Sequence, residues 1–97
     1  MKREGLIVEP NDDVIVVLEA VSKGDHVSYP IGGEEREVVS VSDVPIYHKI
    51  AVRDIQKGSH VMKYGEIIGV ATANIQCGEH VHVQNLDSER EDMKEDE

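Results

Sequence analysis

Apolar positions along this chain come in short bursts rather than at helical spacing. "DVIVVLEAV" (13–21) is dense in β-branched residues, lies between Asn-Asp-Asp and Ser-Lys-Gly, and is shorter than a typical helix, so it predicts a buried strand. "HVSYPI" (26–31) and "REVVSVSDV" (36–44) flank Gly32-Gly33, which predicts a hairpin with a short loop. "YHKIAVRDI" (47–55) alternates Ile50 and Val52 with polar neighbours. "HVMKYG" (60–65), "EIIGVAT" (66–72) and "EHVHVQNL" (79–86) follow, each introduced or broken by glycine. No window carries a helical stripe. Short strands with glycine punctuation predict a compact all-β domain, with Gly24, Gly58, Gly65, Gly69 and Gly78 supplying positive φ at turns and bulges.

One phrase recurs. In "AVSKGDHV" (20–27), "DIQKGSHV" (54–61) and "NIQCGEHV" (74–81) an aliphatic residue lies three positions before glycine and a valine three positions after it. A strand end, a glycine turn and the next strand's first inward side chain produce this spacing. His26, His60 and His80 then sit beside that valine on the outward face, as solvated turn histidines. His82 and Asn85 stand outside the refrain. His82 shares a strand face with His80, a spacing that can supply two metal ligands, with His48 a candidate third. Nothing in the sequence brings those strands together, and no metal site on this chain is expected.

Composition narrows the picture. Ninety-seven residues make one domain, and with three tyrosines as the whole aromatic content its core must be valine and isoleucine. A net charge of −10 argues against nucleic acid and anionic membranes as partners. Much of that charge is in the last eleven residues, "DSEREDMKEDE" (87–97), seven acids against two bases. They read as a disordered tail after a body at 10–86 and an N-terminal segment at 1–9. Cys77 is alone, an incidental thiol with no disulfide or metal motif. The N-terminus lacks a signal-peptide pattern and no apolar run could span a membrane, so a cytoplasmic protein is expected. Strand edges leave a homo-oligomer open.

Four elements in order carry a resemblance. They are His48-Lys49 before a strand, Asp54-Ile-x-x-Gly58, Tyr64-Gly-x-x-Ile-Gly-x-Ala71, and Gly78-x-x-Val-His-x-x-Asn85. Over about 10–86 the chain resembles the N-terminal SAF-type domain of altronate and galactarate dehydratases, found also as the small subunit of sulfolactate sulfo-lyase. The resemblance implies a β-clip fold and a metal-dependent hydro-lyase acting on a sugar acid or small hydroxy acid. It implies a divalent metal, iron or manganese, held by a large dehydratase subunit, without which this chain is inactive. Complete enzymes of the family carry a much larger second domain, which does not fall within these 97 residues and is expected on a separate chain. The segment before His48, "SDVPIY", also lacks the glycine of a Gly-His-Lys variant. A non-catalytic carbohydrate- or ligand-binding SAF module is the alternative.

β-Elimination from a hydroxy acid needs a base beside the carboxylate, positive charge for the enolate, and an acid or metal at the leaving group. His48 suits the acid–base role near neutral pH and is the expected catalytic residue. Lys49 suits a carboxylate, and Lys49, His82 and Asn85 are expected at the substrate. His48 and Lys49 are adjacent, however, so on a regular strand they face opposite sides unless a turn or bulge intervenes.

Overall fold

The computed structural model describes residues 2–7 and 9–88. Its strands are β1 (Lys2–Leu6), β2 (Val14–Val17), β3 (His26–Ile31), β4 (Glu34–Val39), β5 (Lys49–Ala51), β6 (His60–Lys63), β7 (Glu66–Ala71), β8 (His80–Val81) and β9 (Leu86–Asp87). Six of them form one sheet in the order β4-β3-β1-β2-β5-β8, and β6-β7-β9 form a second. The domain is all-β, as the glycine-punctuated bursts predict. Among the described residues no helix is long and apolar enough to cross a membrane.

The β3–β4 hairpin closes through Gly32-Gly33 with an unbroken register from His26↔Val39 to Ile31↔Glu34. Three boundaries differ from the sequence reading. The segment before residue 10 belongs to the domain: β1 pairs in parallel with β3, Arg3 opposite Val27, and antiparallel with β2. Residues 40–44 leave β4, and Val44 returns only as a bridge to Val21. "EHVHVQNL" is not one strand, because the Asn85 side-chain oxygen accepts the His82 N–H at 3.0 Å while the Asn85 N–H donates to the His82 carbonyl at 3.0 Å. That closed turn ends β8 at Val81. Of the tail expected at 87–97, Asp87 lies in β9 and residues 89–97 lie outside the described residues.

All of β2, Val-Ile-Val-Val, is buried. Ile15 and Val17 join Val21, Val27, Val38, Val44 and Ile50 in one core, whereas Val14 joins Ala51, Ile55, Val61, Ile75 and Val81 in another. With Ile50 in the first and Ala51 in the second, β2 and β5 form the wall between two cores. A strand buried on both faces reads as a continuous apolar run, which is why "VIVV" does not alternate.

The refrain is a repeated turn. Gly24, Gly58 and Gly78 hold φ of 91°, 89° and 93°. In each, the glycine N–H donates to a carbonyl in or next to a strand (Ser40 just past β4, Ala71 in β7 and Ala51 in β5, each at 2.8 Å), and that residue's own N–H donates back to the carbonyl of the residue after the glycine. A fourth copy lacks the glycine. The Tyr47 N–H donates to the Val17 carbonyl at 2.9 Å, the Val17 N–H returns to the His48 carbonyl at 3.0 Å, and Tyr47 itself holds φ of 70°. Val44 and Ile50, three positions either side of Tyr47, are buried like the aliphatic pairs of the other copies. The turns associate in crossed pairs. The Lys57 N–H reaches Asn74 Oδ1 and the Cys77 N–H reaches Asp54 Oδ1, both at 2.8 Å, around the Ile55↔Ile75 bridge. Lys23 N–H to Asp43 Oδ1 at 2.9 Å plays the same part beside Val21↔Val44.

Tyr47 is thus a bulky residue in left-handed backbone, strained by about 1–2 kcal/mol, and it is 69 % exposed with little packing to lose. Tyr47→Gly should therefore stabilise the domain by about 0.5–1 kcal/mol after the added chain entropy of glycine. Thermal unfolding followed by circular dichroism is the check, with a midpoint about 3–6 °C higher. An unchanged or lower midpoint would mean that the tyrosine ring contributes more than the strain costs.

The tip of the β6–β7 hairpin is tied down from the other end of the chain. Asp12, 1 % exposed, accepts the N–H groups of Tyr64 at 2.8 Å and Gly65 at 2.9 Å, and Asp13 accepts that of Met62 at 2.9 Å. Tyr64-Gly65 is therefore turn geometry. Gly69, expected at positive φ, does not take it; the glycine is needed because a Cβ there would come within 3.0 Å of the Asp87 carbonyl.

Candidate functional site

The β5–β8 pairing decides where the histidines go. Lys49 lies opposite Val81 and Ile50 opposite His80, so one step further out His48 stands across from His82 and diagonal to His80. Diagonal neighbours on one face are within reach of large side chains. The rings do meet: His48 stacks on His82 with centroids 4.3 Å apart and on His80 at 5.2 Å, and His48 Nδ1 lies 3.0 Å from His80 Nε2. One of those two nitrogens must carry the proton and the other accept it, so the pair holds one shared proton.

The fourth turn frees His48 for this. In the first and third copies the residue after the glycine caps the turn: Asp25 accepts the Ser22 N–H at 2.9 Å, and Glu79 accepts the Gln76 N–H at 2.8 Å. His48 occupies the matching slot, but the turn begins with Pro45, which has no N–H to cap. The ring is left to face His80 and His82.

Lys49 points to the other face of β5, as adjacent strand residues must. The bend at His82 resolves the objection raised by that geometry. His82 stacks on His48 and, beyond the end of β8, also lines a pocket with Lys49 and Lys63. His82, at the start of the 82–85 turn, thus neighbours both groups, although His48 itself does not line that pocket.

Asn85, expected at the substrate, is 4 % exposed, and its amide is engaged by backbone: it accepts from His82 N–H and donates to the His80 carbonyl at 2.9 Å. As placed, Asn85 fixes the two histidines rather than facing solvent. His80, read with His26 and His60 as a solvated turn histidine, departs from them. His26 and His60 are exposed, His26 bonded to Glu37 at 3.0 Å, whereas His80 is half-buried against His48. The missed signal was the fourth turn, since only its alignment with the other three predicts which strand lies opposite His80.

Burial first, then the neighbouring His48, His82 and Lys49, hold the His80 imidazole below its ordinary 6.5. Burial and then His48 and Lys49 do the same for His82. Below about pH 6.5 the unfolded chain therefore binds more protons at these sites than the folded one, so folding stability is full above that pH and falls as pH drops through the window below it. The unfolding midpoint should decline between pH 7.5 and pH 5.5, and the decline should flatten in His80→Gln and His82→Gln. Parallel curves for wild type and both variants would remove these histidines as its source.

Among the described residues no group of three or more His, Cys, Asp or Glu is arranged to hold a metal ion. The rings stack instead of converging, and the His48–His80 contact occupies one nitrogen of each, so this cluster does not fit the metal-ligand role. A depression of about 550 Å³ lies on the seam between the second and third turns, lined in part by Asp54, Asn74 and Glu79. Each of those three side chains already accepts a backbone N–H, so the seam holds turns together and offers less chemistry than the histidine face.

A small two-core β-clip with histidines stacked where β5 meets β8 defines the class. Residues 3–89 match the model of the altronate/galactarate dehydratase SAF domain, and the chain belongs to that family. It is 39 % identical over 82 residues to altronate dehydratase of Escherichia coli K12, covering 84 % of this chain and 16 % of that protein. It is 36 % identical over 88 residues to the (2R)-sulfolactate sulfo-lyase subunit alpha of Chromohalobacter salexigens, covering 87 % of this chain and 94 % of that one. With altronate dehydratase of Bacillus subtilis the identity is 31 % over 88 residues, 90 % of this chain and 17 % of that protein. The chain thus spans about a sixth of the dehydratases and nearly all of the sulfo-lyase subunit.

Proposed function

We propose that this chain is the small subunit of a cytoplasmic lyase that eliminates water, or another β-leaving group, from a sugar acid or small hydroxy acid. A separate larger chain completes the active site and holds the divalent metal, iron or manganese. The observation that carries the reading is the hydrogen-bonded His48–His80 pair beside His82 and Lys49, in a family whose relatives include an altronate dehydratase and a sulfo-lyase subunit.

In the proposed reaction His48 takes the proton next to the substrate carboxylate. With Nδ1 bonded to His80, Nε2 is the nitrogen left for that proton, and His80 orients the ring and steadies the charge that forms, as the third group of a base triad does. The C–H electron pair becomes the new C=C bond as the leaving group departs from the β-carbon with its bonding pair, a departure that a divalent metal held by the larger chain would assist as a Lewis acid. Lys49 faces the growing negative charge of the enolate. The enol product then tautomerises to a keto acid.

The purified chain alone should leave altronate, galactarate and sulfolactate unchanged. Capture of the tagged chain from its native cells, followed by mass spectrometry, should return a larger partner in fixed ratio, and the complex should eliminate one of these acids. Turnover by the chain alone would overturn the subunit reading, and a clean monomer or homo-oligomer would favour the non-catalytic binding module.

A further inference from the structure

The pocket beyond His82 is cationic in a strongly anionic protein. It encloses about 210 Å³, and its walls include Lys49, Lys63 and His82 with the aliphatic Ile68, Val83 and Leu86. Among the described residues no carboxylate lines it. The chain as a whole carries a net charge of −10, so two ammonium groups sharing one recess without an acid is an arrangement that the composition works against. Among the described residues neither Lys49 nor Lys63 forms an ion pair. Glu66, opposite Lys63 in the β6–β7 register, is no exception.

Position explains why the two lysines meet. Lys49 stands on the face of β5 away from His48. Lys63 ends β6 just before the Tyr64-Gly65 turn and sits with its Nζ 4.7 Å from the Tyr64 ring centroid. That turn is fixed by the buried Asp12, so Lys63 projects from an anchored hairpin end rather than from a free loop. Burial, and then the Lys63 charge, hold the Lys49 ammonium below its ordinary value; an anion placed between the two lysines would offset their repulsion.

We propose that Lys63, which the sequence reading did not single out, forms with Lys49 a binding pocket for a carboxylate of the substrate, next to the histidine that stacks on His48. The volume corresponds to about seven waters at about 30 Å³ each, enough for a carboxylate with its first hydroxylated carbons, and the aliphatic Ile68 and Leu86 supply apolar surface beside the lysines. The inference rests on the lyase reading for which acid enters the pocket. The pocket itself does not depend on that reading.

The test is a titration of the isotope-labelled chain followed by amide and lysine-side-chain NMR shifts. Three probes are used: galactarate, galactitol (the same polyol without carboxylates) and inorganic sulfate. Galactarate should give saturable shifts at Lys49, Lys63, His82 and Val83, galactitol none, and sulfate weaker ones. Lys63→Gln should weaken galactarate about tenfold, the loss of one charge-assisted contact, and Lys63→Arg should restore most of it. A merely structural lysine would lower the unfolding midpoint of Lys63→Gln without changing its affinity, and that result would overturn the proposal. Equal binding of galactitol, or sulfate as tight as galactarate, would also overturn the carboxylate assignment. The lyase reading fails by a different result, capture of the chain as a clean monomer or homo-oligomer with no eliminating partner. An unchanged KM for Lys63→Gln in an enzyme that needs His48 would sink the pocket alone.

Discussion

Gly78→Ala should cost the domain at least about 3 kcal/mol, and Gly58→Ala only about 1. Both glycines hold nearly the same backbone, φ of 93° and 89°, and both donate their N–H to a neighbouring strand. The conformational penalty of a Cβ at positive φ is therefore shared. What differs is space. A Cβ on Gly58 would meet nothing within 4 Å, whereas one on Gly78 would lie 2.2 Å from the Val39 carbonyl oxygen. That oxygen is backbone at the end of β4, and the Val41 N–H just beyond it donates to the Gly78 carbonyl at 3.0 Å, so relief requires the third turn to move away from the first half of the chain. With total stability of about 5–15 kcal/mol for a domain of ordinary size, a loss of that order leaves a marginal fold. The check is thermal unfolding of both variants, with the midpoint of Gly78→Ala at least about 10 °C below that of Gly58→Ala. Two variants within a couple of degrees would show that the Val39–Val41 segment yields easily.

The same turns show how far the sequence could be read. The Gly-x-His-Val refrain was legible because three copies keep glycine, and its flanking aliphatics, Val21, Ile55, Ile75, Val27, Val61 and Val81, are all buried. The fourth copy was not, since Tyr47 occupies the glycine position under strain. Its trace in the sequence is the Val44 to Ile50 spacing, equal to that of Val21 to Val27. Missing it meant missing the crossed pairing of turns and, with it, the approach of β5 to β8. Local pattern gave His26, His60 and His80 one common environment, whereas their fates depend on what lies opposite: Val39 across from His26, Val70 across from His60, and Ile50, with His48 next to it, across from His80. β1 was missed for a related reason. Its parallel pairing with β3 is non-local, and "KREGL" carries little apolar alternation to reveal it. Asn85 was legible as a marked residue, but a side-chain amide that closes a turn and one that meets a substrate look alike in sequence.

In the assembled lyase, His48→Gln should lower kcat by about 100- to 10 000-fold, the range for loss of a positioned acid or base, with assembly and thermal stability nearly unchanged. Glutamine keeps a hydrogen-bonding side chain of similar reach but cannot take up a proton. Among the described residues the ring's one hydrogen bond is to His80, at the sheet edge and outside both cores, so a purely structural defect should be small. His80→Gln separates positioning from proton transfer. His80 acts through His48, so its loss should reduce kcat far less than loss of His48 and should move the acidic limb of the pH–rate profile, because the shared proton between the two rings is gone. His82 bears on both sides of the arrangement, stacked on His48 and lining the lysine pocket, and His82→Gln should raise KM as well as lower kcat. A complex that keeps full turnover without His48 would leave the stacked rings a contact surface for the larger chain, and the base would then have to come from that chain.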